Sequence, residues 1–229
     1  MTSSRMTPTP ARPAAPGGSP REQAYAALKA ALLRGNCKPG QMLSLRELAT
    51  RFGCPMAAVR DAVVRLECER LLRVHPQRGI QVVEVDLDFV REAFQLRRLL
   101  ELEGLRRWMD DADGAAIEHV QQETARSVDE LGSKTSPAAL ERATQADWAL
   151  HAMIVGALRS TLLSDIYRQN RERQRLIGRT YQLHPGSVMR AALVEHLAVL
   201  EAMASGDCTR AAEALEAHLA SAMRRQIGV

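Results

Sequence analysis

Two ionisable residues four apart, Asp147 and His151, carry the most chemically suggestive spacing in the chain. On a helix that spacing stacks them on one face. Ala143, Leu150 and Ile154 share the face, so both polar groups are directed at or near an interior. His196 repeats the pattern among Leu193, Leu197, Leu200 and Met203, and His218 repeats it among Leu215, Leu219 and Ala222. Burying an ionisable group is costly unless it is paired or bound to a metal. One carboxylate and three imidazoles make a donor set suited to a divalent ion, zinc first, with nickel, manganese or iron as alternatives. Taken singly, each piece has an ordinary explanation: an Asp-x-x-x-His pair is commonly a surface or capping pair, and a core histidine is commonly just hydrogen-bonded. Three of the six histidines falling on interior faces of three different helices favour the metal reading. The other three, His75, His119 and His184, fall in a hairpin, on an exposed helix face and in a loop, and read as structural or solvated. Four protein ligands leave an octahedral ion with up to two open positions, where a small carboxylate or hydroxycarboxylate could displace water.

The elements that must position these groups are helical from residue 86 onward. Asp86 is suited to cap a helix reaching about Met109, with Phe89, Ala93, Leu96, Leu99, Leu100 and Leu102 as its apolar face. Breaks at Asp113-Gly114 and Gly132, the Ser136-Pro137 start signal, and the caps Ser160, Ser187 and Asp207 divide the remainder into five further helices. The sequence therefore predicts an antiparallel all-α helical bundle over residues 86–229.

The front of the chain is organised differently. Residues 1–20, rich in Pro, Ser, Thr and Ala, read as a disordered arm and lack the apolar stretch of a signal peptide. An amphipathic helix over 21–34 follows, then a Lys38-Pro39-Gly40 turn. Residues 46–67, RELATRFGCPMAAVRDAVVRLE, read as two helices joined at Gly53-Cys54-Pro55, each burying one stripe. Short β-like runs at 71–74 and 80–85 flank a hairpin loop at 75–79. Helix, helix-turn-helix and basic hairpin together make a winged helix-turn-helix over residues 21–85, whose second motif helix enters the DNA major groove. Charge agrees. Residues 21–85 hold eleven basic against six acidic side chains, while residues 86–229 carry a net charge of −3. That split suits a nucleic-acid module ahead of a domain with another task. The fold class is thus mainly α. The four cysteines lack zinc-ribbon or redox spacing, and no apolar run is long enough to span a membrane. A soluble, cytoplasmic protein with free thiols is expected.

Several stretches resemble one family. Gly35 to Gly40 (GNCKPG), Leu43 to Ala49 (LSLRELA), Val59 to Val63 (VRDAV) and Arg78-Gly79 resemble the N-terminal domain of the GntR family of bacterial transcription regulators. Asp147-x-x-x-His151, Glu195-His196-Leu197 and Ala217-His218-Leu219 are similar to the metal-holding pattern of the FCD ligand-binding domain of its FadR subfamily. The resemblance implies a homodimer on a double-stranded, inverted-repeat operator. It implies DNA contacts from Arg46, Arg60 and the wing residues Arg78 and Gly79, and metal ligation by Asp147, His151, His196 and His218. It also matches Arg97 to an arginine that points at an effector cavity. One departure stands out: where most members begin the recognition helix with Ser-Arg or Thr-Arg, this chain has Pro55-Met56.

The expected function is a DNA-binding regulator, not an enzyme, controlled by a small organic acid at a metal site that shifts the bundle between two states. A metal-responsive regulator and a purely structural metal are the alternatives within this class. A metal-dependent hydrolase or lyase is the rival outside it, since an open metal position can activate water. Catalysis would also need an acid or base at the metal. Glu195, about 100° around the helix from His196, should point away.

Overall fold

Ser19 opens the first helix. Its hydroxyl accepts from Glu22 N while the Glu22 carboxylate accepts from Ser19 N, so two donors that a helix start leaves free are satisfied. The computed structural model describes residues 18–110, 114–131, 135–180 and 185–227, in two units that meet in sequence between Val85 and Asp86. Most of the expected arm, the breaks at Asp113 and Gly132, and His184 lie outside the described residues.

The first unit runs α1 (Pro20–Leu33), β1 (Met42–Leu43), α2 (Leu45–Phe52), α3 (Met56–Cys68), β2 (Leu72–His75) and β3 (Gly79–Val82). A second capping box, Ser44 with Glu47, starts α2, and Gly53 ends it in the left-handed conformation at φ 61°. Leu28 and Leu32 of α1, Leu48 of α2, and Ala62 and Leu66 of α3 are fully buried. The strands form one antiparallel sheet in the order β1-β3-β2. Strand β1 is absent from the sequence reading because two residues are too short to show alternation. Its approach to β3 requires Gly79: φ there is 114°, and a Cβ would lie 2.8 Å from the Leu43 carbonyl oxygen.

The second unit is an antiparallel bundle of α4 (Leu87–Asp110), α5 (Gly114–Glu130), α6 (Pro137–Gly156), α7 (Thr161–Thr180), α8 (Pro185–Ala204) and α9 (Cys208–Ile227). Asp86, Ser136, Ser160 and Asp207 each accept a hydrogen bond from a first-turn backbone N–H, as their sequence positions predict. Ser187 does not start a helix; α8 begins earlier, at Pro185. Leu105, Leu150, Ile154, Leu200, Met203 and Leu215 fill the bundle core. Gly104 of α4 lies so close to α6 that an added Cβ would overlap the Ile154 carbonyl oxygen.

Of the predicted apolar face of α4, Phe89, Ala93 and Leu102 are buried, Leu96 and Leu100 are half-buried, and Leu99 is not buried. Leu99 is 61% exposed, whereas Val90, Ala93, Phe94, Arg97, Glu101 and Leu105 face inward. Following apolarity alone shifts the stripe off the two charged residues that the helix buries. Among the described residues all four cysteines are unpaired, and no helix is long and apolar enough to cross a membrane.

Candidate functional site

Helix α6 supplies Asp147 and His151 from consecutive turns, α8 supplies His196 and α9 supplies His218. The three imidazoles are 2% exposed or less, and each has a ring nitrogen within 4.8 Å of the others'. His196 Nε2 lies 3.1 Å from His218 Nε2 and 3.7 Å from Asp147 Oδ1. The three histidines singled out from sequence spacing meet at one point in the bundle, and Asp147 lies beside one of them, His196.

A carboxylate behind one of the rings fixes which nitrogen faces the cluster. Glu195 Oε2 lies 2.8 Å from His218 Nδ1, and an ionised carboxylate only accepts, so Nδ1 carries the proton and the Nε2 lone pair faces His196. Glu101 Oε2 lies 2.9 Å from His151 Nδ1 but takes no hydrogen bond. His218 Nε2 then accepts from His196 Nε2–H, which leaves His196 Nδ1 buried without a partner. His151 Nε2 accepts from Arg97 Nη2 at 2.8 Å.

The charges behind the rings are held in turn. Arg97 Nε donates to Glu101 Oε1 at 2.7 Å, and the Tyr167 hydroxyl donates to the same oxygen at 2.7 Å. Burial alone would raise the Glu101 pKa, but the Arg97 guanidinium and His151 hold it well below the usual carboxylate range. Burial and the neighbouring Glu101 charge push the Tyr167 hydroxyl up, so it stays a donor. Arg225 donates to both Glu195 oxygens, at 2.6 and 2.8 Å. Against the cost of partial burial, those bonds and the one from His218 bring the Glu195 pKa down to about 2. Burial, then the neighbouring rings His218 and His151 and the Arg97 charge, pushes His196 well below the usual imidazole value. Burial lowers His218 too, with Glu195 pulling the other way. Both rings are therefore neutral near pH 7, the state in which imidazole ligates a metal.

The donor set fits a borderline divalent cation: three clustered imidazoles, a carboxylate beside His196, and an outer carboxylate hydrogen-bonded to His218. The orphaned His196 Nδ1 fits as well, since turning that ring over to a ligand changes the tautomer without breaking a second bond. At His151, ligation through Nε2 requires the Arg97 guanidinium to withdraw.

Glu101, Tyr167 and Arg225 have no role in the sequence reading, and Glu195 enters it only as a residue expected to point away. Glu101 had one usable signal, its position one helical turn beyond Arg97. Glu195, expected to point away, accepts a hydrogen bond from Nδ1 of His218, a member of the cluster.

In the first unit, Arg46 is exposed on the first turn of α2, Arg60 on α3, and Arg78 at the hairpin between β2 and β3. Gly79 opens β3 opposite His75 and, as described, admits β1 to the sheet. Arg65 is set apart from these, its guanidinium 3.8 Å from the centre of the Tyr25 ring. Pro55, ahead of α3, makes no side-chain capping bond, as its lack of a hydroxyl dictates.

Residues 20–82 match the family described as bacterial regulatory proteins, gntR family, and residues 92–221 match the FCD domain. The HTH-type transcriptional regulator BphR of Paraburkholderia xenovorans is 27% identical over 216 residues, covering 91% of this chain and 86% of that protein. Among solved structures, McbR/YncC of E. coli superposes with a TM-score of 0.69 at 20% identity, over 93% of this chain and 99% of that one. A GntR transcriptional regulator from Rhodococcus sp. RHA1 superposes with a TM-score of 0.70 at 20% identity, over 91% and 98%. At these identities the structural likenesses show a shared fold.

Proposed function

The chain belongs to the GntR family of DNA-binding transcription regulators that carry an FCD domain, and from that premise we propose that a small organic acid, bound at a divalent metal in the bundle, sets its affinity for an operator. The observation that carries this reading is the meeting of three buried imidazoles, with Asp147 beside His196 and Glu195 fixing the His218 ring. Asp147, His151, His196 and His218 would hold the ion, with zinc the first candidate and nickel, manganese or iron alternatives. A bound ion supplies Lewis-acidic positions for a carboxylate.

The chain's own residues supply the rest. His196 releases His218 by passing its proton from Nε2 to Nδ1. Arg97 gives up His151 Nε2 but remains tied to Glu101 through Nε. Its freed Nη2 becomes a donor for an anion in the same buried space, so ion and arginine together select a carboxylate. The effector then biases the bundle between two states that hold the paired DNA-binding domains of a homodimer at different spacings on an inverted repeat.

Isothermal titration of zinc-loaded protein against a panel of organic acids tests this. The expected result is one acid bound per chain, with binding lost in His196→Ala. Binding unchanged in that variant, or no binding by the wild type, contradicts it.

A sensing role for the metal itself is the second reading. The tautomer change that ligation demands at His196 makes the site responsive to the ion alone. Graded release of DNA as zinc is withdrawn, with the fold retained, favours that reading.

A further inference from the structure

The face that α3 turns away from the core carries one cation among apolar side chains. With about 100° of rotation per residue, Met56, Arg60, Val64 and Ala57 fall within one arc. Ala58, Val59, Ala62, Val63 and Leu66 occupy the opposite side and are buried. Met56 is 44% and Val64 53% exposed. The other polar side chains of the helix are committed elsewhere, including Glu67, which shares the arc about three turns beyond Met56. Asp61 pairs with Arg21 at 2.7 Å, Arg65 lies over Tyr25, and Glu67 accepts from Val74 N at 2.7 Å.

The charge around this face selects a polyanion. Each of the six acids of the unit is engaged within it. Glu22 and Glu47 close capping boxes, Asp61 pairs with Arg21, Glu67 takes Val74 N, Glu69 takes Tyr25 and Lys29, and Glu84 takes Gln81. Among the described residues Arg46, Arg60, Arg73 and Arg78 make no ion pair. An apolar strip inside such a field suits the major groove, whose base edges offer one apolar group, the thymine C5-methyl.

We propose that Met56, Ala57 and Val64 read thymine methyl groups while Arg60 reads a guanine between or beside them, so that the operator half-site is a guanine flanked by thymines. This rests on the reading of the unit as a DNA-binding domain and adds which bases it selects. Met56 and Val64 neither donate nor accept, so hydrogen-bond readout from this helix falls to Arg60, and the remaining selectivity comes from fitting methyl groups.

The test begins with selection of sites from a random duplex library by the full-length protein. The selected duplex is then remade with deoxyuridine for thymine, which removes the methyl and leaves the pairing intact. The expected result is weaker binding to the deoxyuridine duplex, by about fourfold for each methyl contacted, from roughly 0.8 kcal/mol per buried methyl-sized group. In Val64→Ser or Met56→Gln, both exposed substitutions, that difference shrinks at the base each side chain faces. Equal binding of thymine and deoxyuridine duplexes by a protein that still prefers its selected site overturns the proposal and leaves the DNA-binding reading standing. Failure to enrich any sequence overturns both.

Discussion

Glu195 and His218 are joined across two helices: Glu195 Oε2 lies 2.8 Å from His218 Nδ1, although Glu195 adjoins His196 in sequence. The carboxylate fixes the His218 tautomer and turns its Nε2 toward His196, which in turn lies beside Asp147. Glu195→Gln keeps the shape of the side chain but not the charge that orders the ring. Zinc affinity, read by competition with a chromophoric chelator, is expected to fall about 10- to 100-fold. Unchanged affinity contradicts an orienting role for Glu195.

Arg97 and Glu101 are a buried ion pair on one helix face, 2.7 Å apart. Removing one partner strands the other, so Arg97→Met is expected to cost about 3–5 kcal/mol in urea unfolding. The double substitution Arg97→Met with Glu101→Leu is expected to cost less than the two single losses combined, since it leaves neither charge unpaired. Strict additivity contradicts the coupling.

The close crossing of α4 and α6 at Gly104 and Ile154 bears on the site because Ile154 sits less than one turn beyond His151. Gly104→Ala gains up to about 1 kcal/mol of helix propensity but must spread the helices, so a net loss of about 1–3 kcal/mol is expected. Zinc affinity falls with it as His151 is displaced. A more stable Gly104→Ala protein contradicts the close approach.

These relationships mark how far the sequence could be read. Helix starts were legible because Asp86, Ser136, Ser160 and Asp207 act on donors only three residues away. The cluster of Asp147, His151, His196 and His218 was legible because each interrupts an apolar stripe. Glu101 was not. Reading α4 by its leucines turned the helix toward Leu99, whereas burial of Arg97 with Glu101 leaves Leu99 exposed. The bond from His218 to Glu195 depends on how α8 packs on α9, which spacing along one chain does not encode. Strand β1 exists only through its pairing with β3.

The histidine burial sets a pH dependence. His196 is held well below, and His218 below, the ordinary imidazole value, so the unfolded chain takes up protons near pH 6.5 that the folded bundle does not. Stability is complete above that pH and declines as the pH falls toward the folded values. Glu195, brought down to about 2, extends the decline below about pH 4.5. The urea midpoint of the metal-free protein is expected to be lower at pH 5.5 than at pH 7.5. A midpoint that rises on acidification contradicts neutral, buried rings.

At the DNA surface, Arg60→Ala is expected to weaken binding to the selected site by about 1–3 kcal/mol and to relax selectivity at one guanine. Equal weakening on random duplex assigns Arg60 to phosphate contact instead.

The central claim is coupling between the metal-bearing bundle and the DNA surface. Its most direct measurement is the affinity of zinc-loaded protein for its selected duplex, by fluorescence anisotropy, with and without a saturating organic acid found by titration. The account predicts a change of about 5- to 150-fold, matched by an equal change in acid affinity when DNA is bound, and absent in His196→Ala. An operator affinity that saturating acid leaves unchanged, or changes equally in His196→Ala, contradicts it.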